Sequence, residues 1–297
     1  MKSDTPHPKI SVIIPNLHSP IIDKTIESVI KQETSAPYEI IVVGMDKWNL
    51  VKKYPEVKYI ETTSPVGAAT ARNIGIKNAT GEWLFFIDSD CIALNGWLET
   101  LRNDFNNGWK VVGGGTQSPQ EPFWVLVYNL SMLHGNLTSD KRRIAKFLPT
   151  LNLGVHREVV EKIGLMDETL MRGQDVDWTA RMTLAGYRLL FNPLVKVEHQ
   201  PLHNDLKSLR EMNSKSGYYM INIRHKFPEI FTMPKILRKS QVWTIFAPII
   251  AAVTTLKIFL SSKEVRNHLR TIPYIYLLKL SWCHGAARGL KAFATDE

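Results

Sequence analysis

Apolar positions recur at two different spacings along the first 200 residues. Short apolar runs rich in β-branched residues, KISVIIP and EIIVV, predict strands, whereas Ile22, Ile26 and Val29 between them recur at the spacing of one helix face. The run WLFFI (Trp83–Ile87) is apolar throughout, which is typical of a central strand buried on both faces. This alternation predicts an α/β fold with a mostly parallel central sheet and helices on both faces.

Two further patterns complete this region and mark its end. Val111 and Val112 precede three consecutive glycines, which predicts a strand that enters a tight turn. Residues 176–185 have helical spacing. Beyond residue 200 the composition becomes basic and then apolar, so we expect an α/β domain over residues 1–203 and a helical C-terminal region over residues 204–297.

The net charge of +9 comes from the last third of the chain. Residues 201–297 hold 15 Lys and Arg against 6 Asp and Glu, whereas the first 200 residues hold 22 of each kind. The most apolar run of the chain, Val242–Leu260, lies in the same region and follows Lys235, Arg238 and Lys239. An apolar run beside a basic flank favours an anionic membrane surface as the partner and argues against nucleic acid.

Three structures stay open for this run. It could form an interfacial or re-entrant helix, span the membrane over residues 242–260, or be a buried helix. Its 19 residues are just enough to cross a bilayer, but Lys257 and Pro248 argue against a span. The first nine residues are polar and the two cysteines lie far apart, so we expect no cleaved secretory signal and a location at the cytoplasmic face of the cell membrane.

One acidic pair stands where α/β proteins bind ligands. Asp88 and Asp90 directly follow the WLFFI strand, and residues two apart in a strand point the same way, so both carboxylates could face one ligand. A divalent cation that carries phosphates would relieve their mutual repulsion. A D-x-D pattern also occurs about once by chance in a chain of this length.

A second pair, Asp175 and Asp177, opens the helix that begins near Val176. The pair is open to two interpretations, a helix N-cap or a general base presented at the start of the helix. His199 follows an apolar run and also has two interpretations, as a metal ligand or as an ordinary surface histidine.

Four blocks of sequence stand in order between residues 9 and 200. They are ISVIIPN (Ile10–Asn16), VGAATARNIGIKNATGEWLFFIDSDC (Val66–Cys91), LNLGVHREVVEKIGLMDE (Leu151–Glu168) and GQDVDWTARMTLAGYRLLFNP (Gly173–Pro193). Together these blocks resemble the family 2 glycosyltransferases. The resemblance implies the GT-A nucleotide-diphospho-sugar transferase fold, followed here by a C-terminal helical appendage.

The resemblance also implies roles for individual residues. It implies a catalytic base at Asp175. A divalent cation, Mg²⁺ or Mn²⁺, would be held by Asp90, His199 and Asp88. The nucleotide sugar would be bound by a set of residues near them: Pro15, Asn16, Asp46, Arg72, Asp88 and Ser89. The acceptor side would be formed or supported by Asp177, Arg181 and Asn152, where Asp177 and Arg181 could support the helix instead.

The implied activity is an inverting transfer of one sugar from a nucleotide-diphosphate sugar to a hydroxyl acceptor, such as a lipid-linked glycan or a cell-surface polysaccharide precursor. The chain lacks the Gln-x-x-Arg-Trp run of the family's processive synthases, so we expect one sugar per encounter. It also departs from the family where Gly44-Met45-Asp46 replaces an acidic run, which makes Asp46 only a shifted candidate for nucleotide contact. Two other classes stay open, a nucleotidyltransferase acting on sugar phosphates and a non-catalytic membrane adaptor with the same fold.

Overall fold

The structure is a computed structural model that describes residues 9–202 and 205–293. The predicted domain boundary between residues 203 and 204, and the polar residues 1–8, lie outside the described residues. The described chain forms two compact units. Unit 1 comprises the residues up to Gln117, Lys141–Thr169 and Gln174–His199. Unit 2 comprises Ser118–Asp140, Leu170–Gly173 and the residues from Gln200 onwards.

Strands and helices alternate through most of unit 1, as the sequence predicts. The strands are β1 (Ile10–Leu17), β2 (Tyr38–Met45), β3 (Val57–Glu61), β4 (Trp83–Ile87), β5 (Cys91–Ala93), β6 (Val111–Gln117), β7 (Arg143–Ala145), β8 (Asn152–His156) and β9 (Leu189–His199). The helices of both units are α1 (Ile22–Ile30), α2 (Ala68–Asn78), α3 (Trp97–Asn106), α4 (Phe123–Met132), α5 (Arg157–Ile163), α6 (Gln174–Leu184), α7 (Leu206–Lys226), α8 (Ser240–Ile245), α9 (Ala247–Ser261), α10 (Lys263–Asn267) and α11 (Ile272–Phe293). Of these helices, α4 and α7–α11 belong to unit 2.

The strands of unit 1 form one mixed sheet, which confirms the α/β fold. Its order is β3-β2-β1-β4-β8-β6-β9-β5, and β7 pairs with β9. The strands from β3 to β4 are parallel, because helical crossovers return the chain to the same edge. Beyond β4 the sheet is less parallel than expected, since β8 runs antiparallel to both of its neighbours, β4 and β6.

The apolar run WLFFI is the centre of the sheet, as its composition predicts. It forms β4, between β1 and β8, and all five side chains are buried. Phe86 packs edge-on against Trp178 of α6, with ring centres 5.7 Å apart, while Phe85 packs against Phe105 of α3 at 5.3 Å. These contacts fix the end of β4, where the acidic pair follows.

The three glycines after Val112 continue β6 and do not form the predicted turn. A Cβ atom at Gly114 would lie 2.1 Å from Asn152 Nδ2 and 2.3 Å from the Val195 carbonyl oxygen. The glycines therefore serve close approach between neighbouring strands, which a turn prediction from composition misses.

Unit 2 is helical, and its longest helices, α7 and α11, pack at backbone contact. Added Cβ atoms at Gly217 and Gly285 would lie 2.1 Å from the Trp282 carbonyl oxygen and 1.9 Å from the Ser214 carbonyl oxygen. Gly289 makes a similar approach to Tyr218, where the distance to the carbonyl oxygen would be 2.3 Å. Such spacing is possible only because these positions carry no side chain.

Helix α4 joins this helical unit, although the sequence places it inside the first domain. The Tyr274 ring of α11 lies 5.3 Å from the Phe123 ring and 5.1 Å from the Trp124 ring of α4. Lys279 of α11 also donates a 2.7 Å hydrogen bond to the Ser131 carbonyl oxygen. These contacts are between residues far apart in the sequence, so a composition shift near residue 200 does not reveal them.

The apolar run 242–260 is divided between α8 and α9. Pro248 lies in the first turn of α9, where the missing N–H of proline costs the helix no hydrogen bond. Within residues 9–202 and 205–293, no helix combines the length and the apolar character that crossing a bilayer requires.

Candidate active site

The segment after β4 is a turn, which corrects the expectation that Asp88 and Asp90 point the same way along a strand. The Cys91 N–H donates a 3.0 Å hydrogen bond to the Asp88 carbonyl oxygen and closes the turn. The Ser89 carbonyl oxygen accepts bonds from the Ser19 hydroxyl at 2.7 Å and the Thr25 hydroxyl at 3.1 Å. The two carboxylates therefore take different partners.

Asp90 lies against His199, the last residue of β9. The strand pairing sets Cys91 of β5 opposite His199, and this register places the imidazole beside the turn. His199 Nε2 is 3.6 Å from Asp90 Oδ2. Burial raises the pKa of Asp90, but the charge of His199 and its hydrogen bond outweigh burial and hold the pKa below its ordinary value.

Asp90, Cys91 and His199 form a cluster that fits a divalent cation. One donor atom from each side chain lies within 4.8 Å of the other two. Burial, followed by the charges of Asp90 and Asp88, raises the pKa of the Cys91 thiol well above its ordinary value, so the sulfur is a poor ligand. Asp90 and His199 would hold the cation: the carboxylate oxygen suits Mn²⁺ or Mg²⁺, whereas the imidazole nitrogen suits a transition-metal ion such as Mn²⁺ better than Mg²⁺.

Asp88, the other expected metal ligand, pairs with Arg72 of α2 instead of entering this cluster. Arg72 Nη2 donates to Asp88 Oδ1 at 2.5 Å, and the arginine side chain is only 4% exposed. The Nε and Nη1 atoms of Arg72 are buried and have no hydrogen-bond acceptor among the described residues. A buried guanidinium with unused donors fits a site where a bound anion supplies the acceptors.

Asp175 lies inside the first turn of α6, which begins one residue earlier at Gln174. Its carboxylate accepts a 2.9 Å hydrogen bond from the Val176 N–H. Burial raises the pKa of Asp175 above its ordinary value of 3.8, and the positive charge of Arg72 opposes that shift. Asp175 is half-buried, and a carboxyl with a raised pKa is a stronger proton acceptor than an ordinary aspartate, which suits a general base.

Asp177 and Arg181 support the helix. Arg181 Nε donates to Asp177 Oδ2 at 2.9 Å, and its two terminal nitrogens donate to the carbonyl oxygens of Ile163 at 2.9 Å and Leu165 at 2.8 Å. Asp177 is fully buried. Of the two roles open to this pair, its contacts match the one in which it anchors α6 to the end of α5.

Asn152, expected on the acceptor side, is committed to contacts inside unit 1. Its Oδ1 accepts from Trp97 Nε1 at 2.9 Å, and its Nδ2 donates to the Val195 carbonyl oxygen at 2.9 Å. The residue is 1% exposed. These bonds tie β8 to α3 and β9, so Asn152 positions the strands that carry the site.

Three residues expected at the nucleotide lie at the ends of β1 and β2. Pro15 pairs with Val43, and Asn16 Nδ2 donates to the Met45 carbonyl oxygen at 2.9 Å. Asp46 is 6% exposed, and its Oδ2 accepts a 2.8 Å bond from the Val51 N–H. Asp46 thus stabilises the loop after β2, while contact with a nucleotide stays a prediction for all three.

Glu168 and Asn73 form a contact that sequence reasoning did not single out. Asn73 Nδ2 donates to Glu168 Oε1 at 2.8 Å, and the Thr70 hydroxyl donates to Glu168 Oε2 at 2.8 Å. Hydrogen bonds from Asn73 and then Thr70 lower the pKa of Glu168. Both residues occur in the sequence blocks given above, but only the fold shows that they hold α2, and with it Arg72, in place.

Comparison with known proteins gives the family. The sequence profile described as Glycosyl transferase family 2 matches residues 11–164, more than half of the 297 residues. The chain belongs to this family. The match covers β1 to α5, including Arg72 and the turn that carries Asp88 and Asp90.

Relatives of established name are glycosyltransferases. The chain is 31% identical over 204 residues to the glycosyltransferase AglE of Haloferax volcanii, a match that covers 62% of this chain and 64% of AglE. It is 24% identical over 182 residues to the pre-mycofactocin glycosyltransferase of Mycobacterium tuberculosis, covering 58% of this chain and 37% of that protein. The matched part is thus less than two thirds of either relative.

Solved structures confirm the fold. A mannosyltransferase from Pyrobaculum calidifontis, in complex with GDP-Man and Mn²⁺, has a TM-score of 0.60 at 17% identity, covering 92% of this chain and 86% of its own. Staphylococcus aureus TarS has a TM-score of 0.53 at 15% identity, covering 97% of this chain and 92% of that one. The GT-A expectation from the sequence is therefore confirmed.

Proposed function

We propose that this protein is an inverting glycosyltransferase that moves one sugar from a nucleotide-diphosphate sugar to a hydroxyl group of a lipid-linked acceptor. The observation that carries the proposal is the grouping in unit 1 of Asp90 with His199 and of Arg72 with Asp88, together with the electrostatic influence of Arg72 on the half-buried Asp175. Family membership supports a glycosyl transfer. The grouping supplies two of the three functions that such a transfer needs, and unit 2 is proposed to supply the third.

The first function is to hold the diphosphate. Asp90 and His199 would hold a divalent cation, which when bound neutralises the charge that builds up on the leaving diphosphate. Arg72 offers two buried donors that have no partner among residues 9–202 and 205–293, and a phosphate or ribose oxygen would satisfy them. Mn²⁺ accompanies GDP-Man in the Pyrobaculum calidifontis mannosyltransferase, and it accompanies UDP and GalNAc in a structure of GalNAc-T7 that has a TM-score of 0.53 to this chain, which supports this assignment.

The second function is proton removal. Asp175 would accept the proton of the acceptor hydroxyl as its oxygen attacks the anomeric carbon, so the C–O bond to the acceptor forms while the C–O bond to the diphosphate breaks. A single displacement from the opposite face inverts the anomeric centre. Asp177 and Arg181 fix the helix that carries Asp175, which keeps the base in position.

The third function is to bind the acceptor. The chain is 32% identical over 117 residues to the GalNAc(5)-diNAcBac-PP-undecaprenol β-1,3-glucosyltransferase of Campylobacter jejuni. This match covers 36% of this chain and 38% of that protein. Its named substrate is a lipid-linked glycan. This relative and the basic, apolar character of unit 2 support a lipid-linked acceptor for the present protein.

Helix α9 offers a surface that suits a membrane. Its buried positions lie on one face, whereas Ile249, Val253, Leu256 and Leu260 are 46–63% exposed and recur every three or four residues on the other. Such an exposed apolar face in a basic region suits the interface of an anionic bilayer and favours the cytoplasmic leaflet. We therefore propose peripheral attachment through α9.

The test measures hydrolysis of the donor sugar, a reaction in which water takes the place of the acceptor hydroxyl at the anomeric carbon. UDP-, GDP- and dTDP-sugars with α-linkages are incubated with the full chain and Mn²⁺, and proton NMR records the anomer first released. We expect one nucleotide class to react and to release the β-anomer. Release of the α-anomer would contradict inversion, and turnover that persists in Asp175→Asn would contradict the base.

A further inference from the structure

A cavity of about 530 Å³ in unit 2 is lined by cations without matching carboxylates. Its lining residues come from the segment before α6, from α7 and from α11: Met171, Arg172, Lys215, Tyr218, Tyr219 and Arg288. Within the part of the chain that the structure describes, Arg172, Lys215 and Arg288 form no ion pair with an acidic side chain. Three positive charges therefore face this cavity without internal compensation.

Close packing of α7 against α11 fixes two sides of the cavity. Gly285 and Gly289 bring α11 to backbone contact with α7, and Arg288 projects beside them. The Arg288 guanidinium carbon lies 5.9 Å from the centre of the Tyr218 ring, and the Tyr218 and Tyr219 rings are 5.0 Å apart. Neither helix can shift here without opening the glycine contacts, so these side chains start from fixed backbone positions.

The third side of the cavity, formed by the segment before α6, is also held in place. Gly173 has a φ of 79°, and a Cβ atom there would lie 2.3 Å from Ile223 Cδ1 of α7, so the segment Leu170–Gly173 packs closely against that helix. Arg172 Nη1 lies 3.5 Å from the Ser216 hydroxyl oxygen, at the outer limit of a hydrogen bond. The half-buried Arg172 is thus positioned by its own segment.

The lining chemistry matches phosphate. Arginine guanidinium groups bind phosphate through two parallel N–H bonds, a lysine ammonium adds a compact charge, and tyrosine hydroxyls can donate further hydrogen bonds. Two arginines, one lysine and two tyrosines around one space therefore suit a ligand with several phosphate oxygens. In the sequence, Arg172 precedes the proposed base Asp175 by only three residues. This short link favours the acceptor over an unrelated anion.

We propose that this cavity binds the phosphate or diphosphate group that joins glycan to lipid in the acceptor. The inference rests on the proposed function, because it takes the acceptor to be lipid-linked. The same chemistry could recognise free phosphate or a phospholipid headgroup, and the experiment below separates these sources.

The test is calorimetric binding of geranyl diphosphate to the full chain in EDTA, which removes divalent cations from the donor site. The variant Lys215→Gln/Arg288→Gln removes two charges from the cavity. The control Lys207→Gln/Lys291→Gln removes two charges from the same two helices, at positions that do not line the cavity. We expect the cavity variant to weaken binding roughly tenfold or more and the control to change it less than about twofold.

Three results would overturn the inference. The first is equal weakening in both variants, because net charge alone would then explain binding. The second is equal affinity for geranyl diphosphate and inorganic diphosphate, because the ligand would then be a free anion. The third is binding of phosphatidylglycerol vesicles that competes with geranyl diphosphate and is lost in the cavity variant alone, because the site would then take a headgroup.

A separate measurement keeps this inference distinguishable from the proposed function. Binding of nucleoside diphosphate with Mn²⁺ is measured in the same variants, and we expect it to be unchanged in Lys215→Gln/Arg288→Gln. If nucleotide binds but geranyl diphosphate does not, the cavity inference fails while the donor site stands. If geranyl diphosphate binds but no nucleotide does, the proposed transfer fails instead.

Discussion

Glycines bring backbone segments into close contact in both units, but the charged groups that each unit presents have opposite signs. In unit 1, Gly114 lets β6 approach Asn152 and β9, and β9 ends at His199, beside the turn that carries Asp90. In unit 2, Gly285 and the glycines near it join α7 to α11 beside Arg288. On the two proposals made above, the acidic turn of unit 1 would receive a cation and the basic cavity of unit 2 would receive an anion.

The two regions also differ in how their charges are compensated. The carboxylates of unit 1 have internal partners, Arg72 for Asp88 and His199 for Asp90. The cations around the cavity of unit 2 have no acidic partner among the described residues. A site whose charges are paired internally must exchange a partner when its ligand binds, whereas an uncompensated site gains its first partner from the ligand.

The largest effect is expected on the turnover of the donor, when the proposed proton acceptor of unit 1, Asp175, is replaced. Asp175→Asn keeps the shape of the side chain but cannot take a proton, so we expect turnover of the donor to fall about 10²- to 10⁴-fold. Release of nucleoside diphosphate measures the rate. Asp23→Asn serves as the control, because it changes a carboxylate of α1 that accepts a hydrogen bond from the adjacent Lys24 N–H. A fall shared by both variants would remove Asp175 from the mechanism.

The next largest effect is expected on membrane binding, which we propose depends on the exposed face of α9 in unit 2 and not on exposed apolar residues of unit 1. Val253→Glu/Leu256→Glu places two negative charges on the face proposed to meet an anionic bilayer, so co-sedimentation with phosphatidylglycerol vesicles should drop at least roughly tenfold. The control Leu194→Glu/Leu184→Glu changes two leucines of unit 1, which are 63% and 49% exposed. It should leave co-sedimentation with the vesicles nearly unchanged. Equal loss in both would contradict attachment through α9.

A pH profile sharpens the account of Asp175. Burial raises its pKa above 3.8, and only the ionised carboxylate can act as a base, so the rate should fall as pH drops through this raised pKa. We expect the acid limb of kcat/KM, measured at saturating Mn²⁺, to lie above the ordinary aspartate range. A limb at or below pH 3.8 would show that Asp175 does not control the rate.

The smallest effect tests the packing in unit 1. Gly114→Ala would force a Cβ atom to within 2.3 Å of the Val195 carbonyl oxygen, and backbone cannot move aside cheaply. We expect about 1–3 kcal/mol of lost stability in chemical denaturation. Gly67→Ala is the control, because a Cβ there meets nothing within 4 Å. Equal stability of the two variants would show that the strands can separate at Gly114.

The strands and helices of unit 1 follow from local patterns, and so do the candidate carboxylates. Trp83–Ile87 is apolar throughout and forms the central strand, and α6 begins within two residues of its expected start. Local pattern is sufficient in these cases because each element buries a face that its own residues define.

The remainder depends on contacts between distant residues. The pairing of Cys91 with His199 arises from strand register, and the bond between Asn73 and Glu168 joins positions 95 residues apart. The sequence predicts a turn at Gly113 and Gly114, but in the structure these glycines allow close approach between strands. Composition does not distinguish these two uses of glycine. Likewise, nothing local marks Phe123 as a neighbour of Tyr274.

The central claim is that Asp90 and His199 hold a cation that binds the diphosphate of a sugar nucleotide. The most direct measurement is the melting temperature of the full chain with UDP, GDP or dTDP, each with and without Mn²⁺, for the unaltered protein and Asp90→Ala. Binding to the folded state raises the melting temperature by mass action. We predict a rise with one nucleotide that requires Mn²⁺ and is absent in Asp90→Ala. No rise with any nucleotide, or a rise that survives in Asp90→Ala, would contradict the claim.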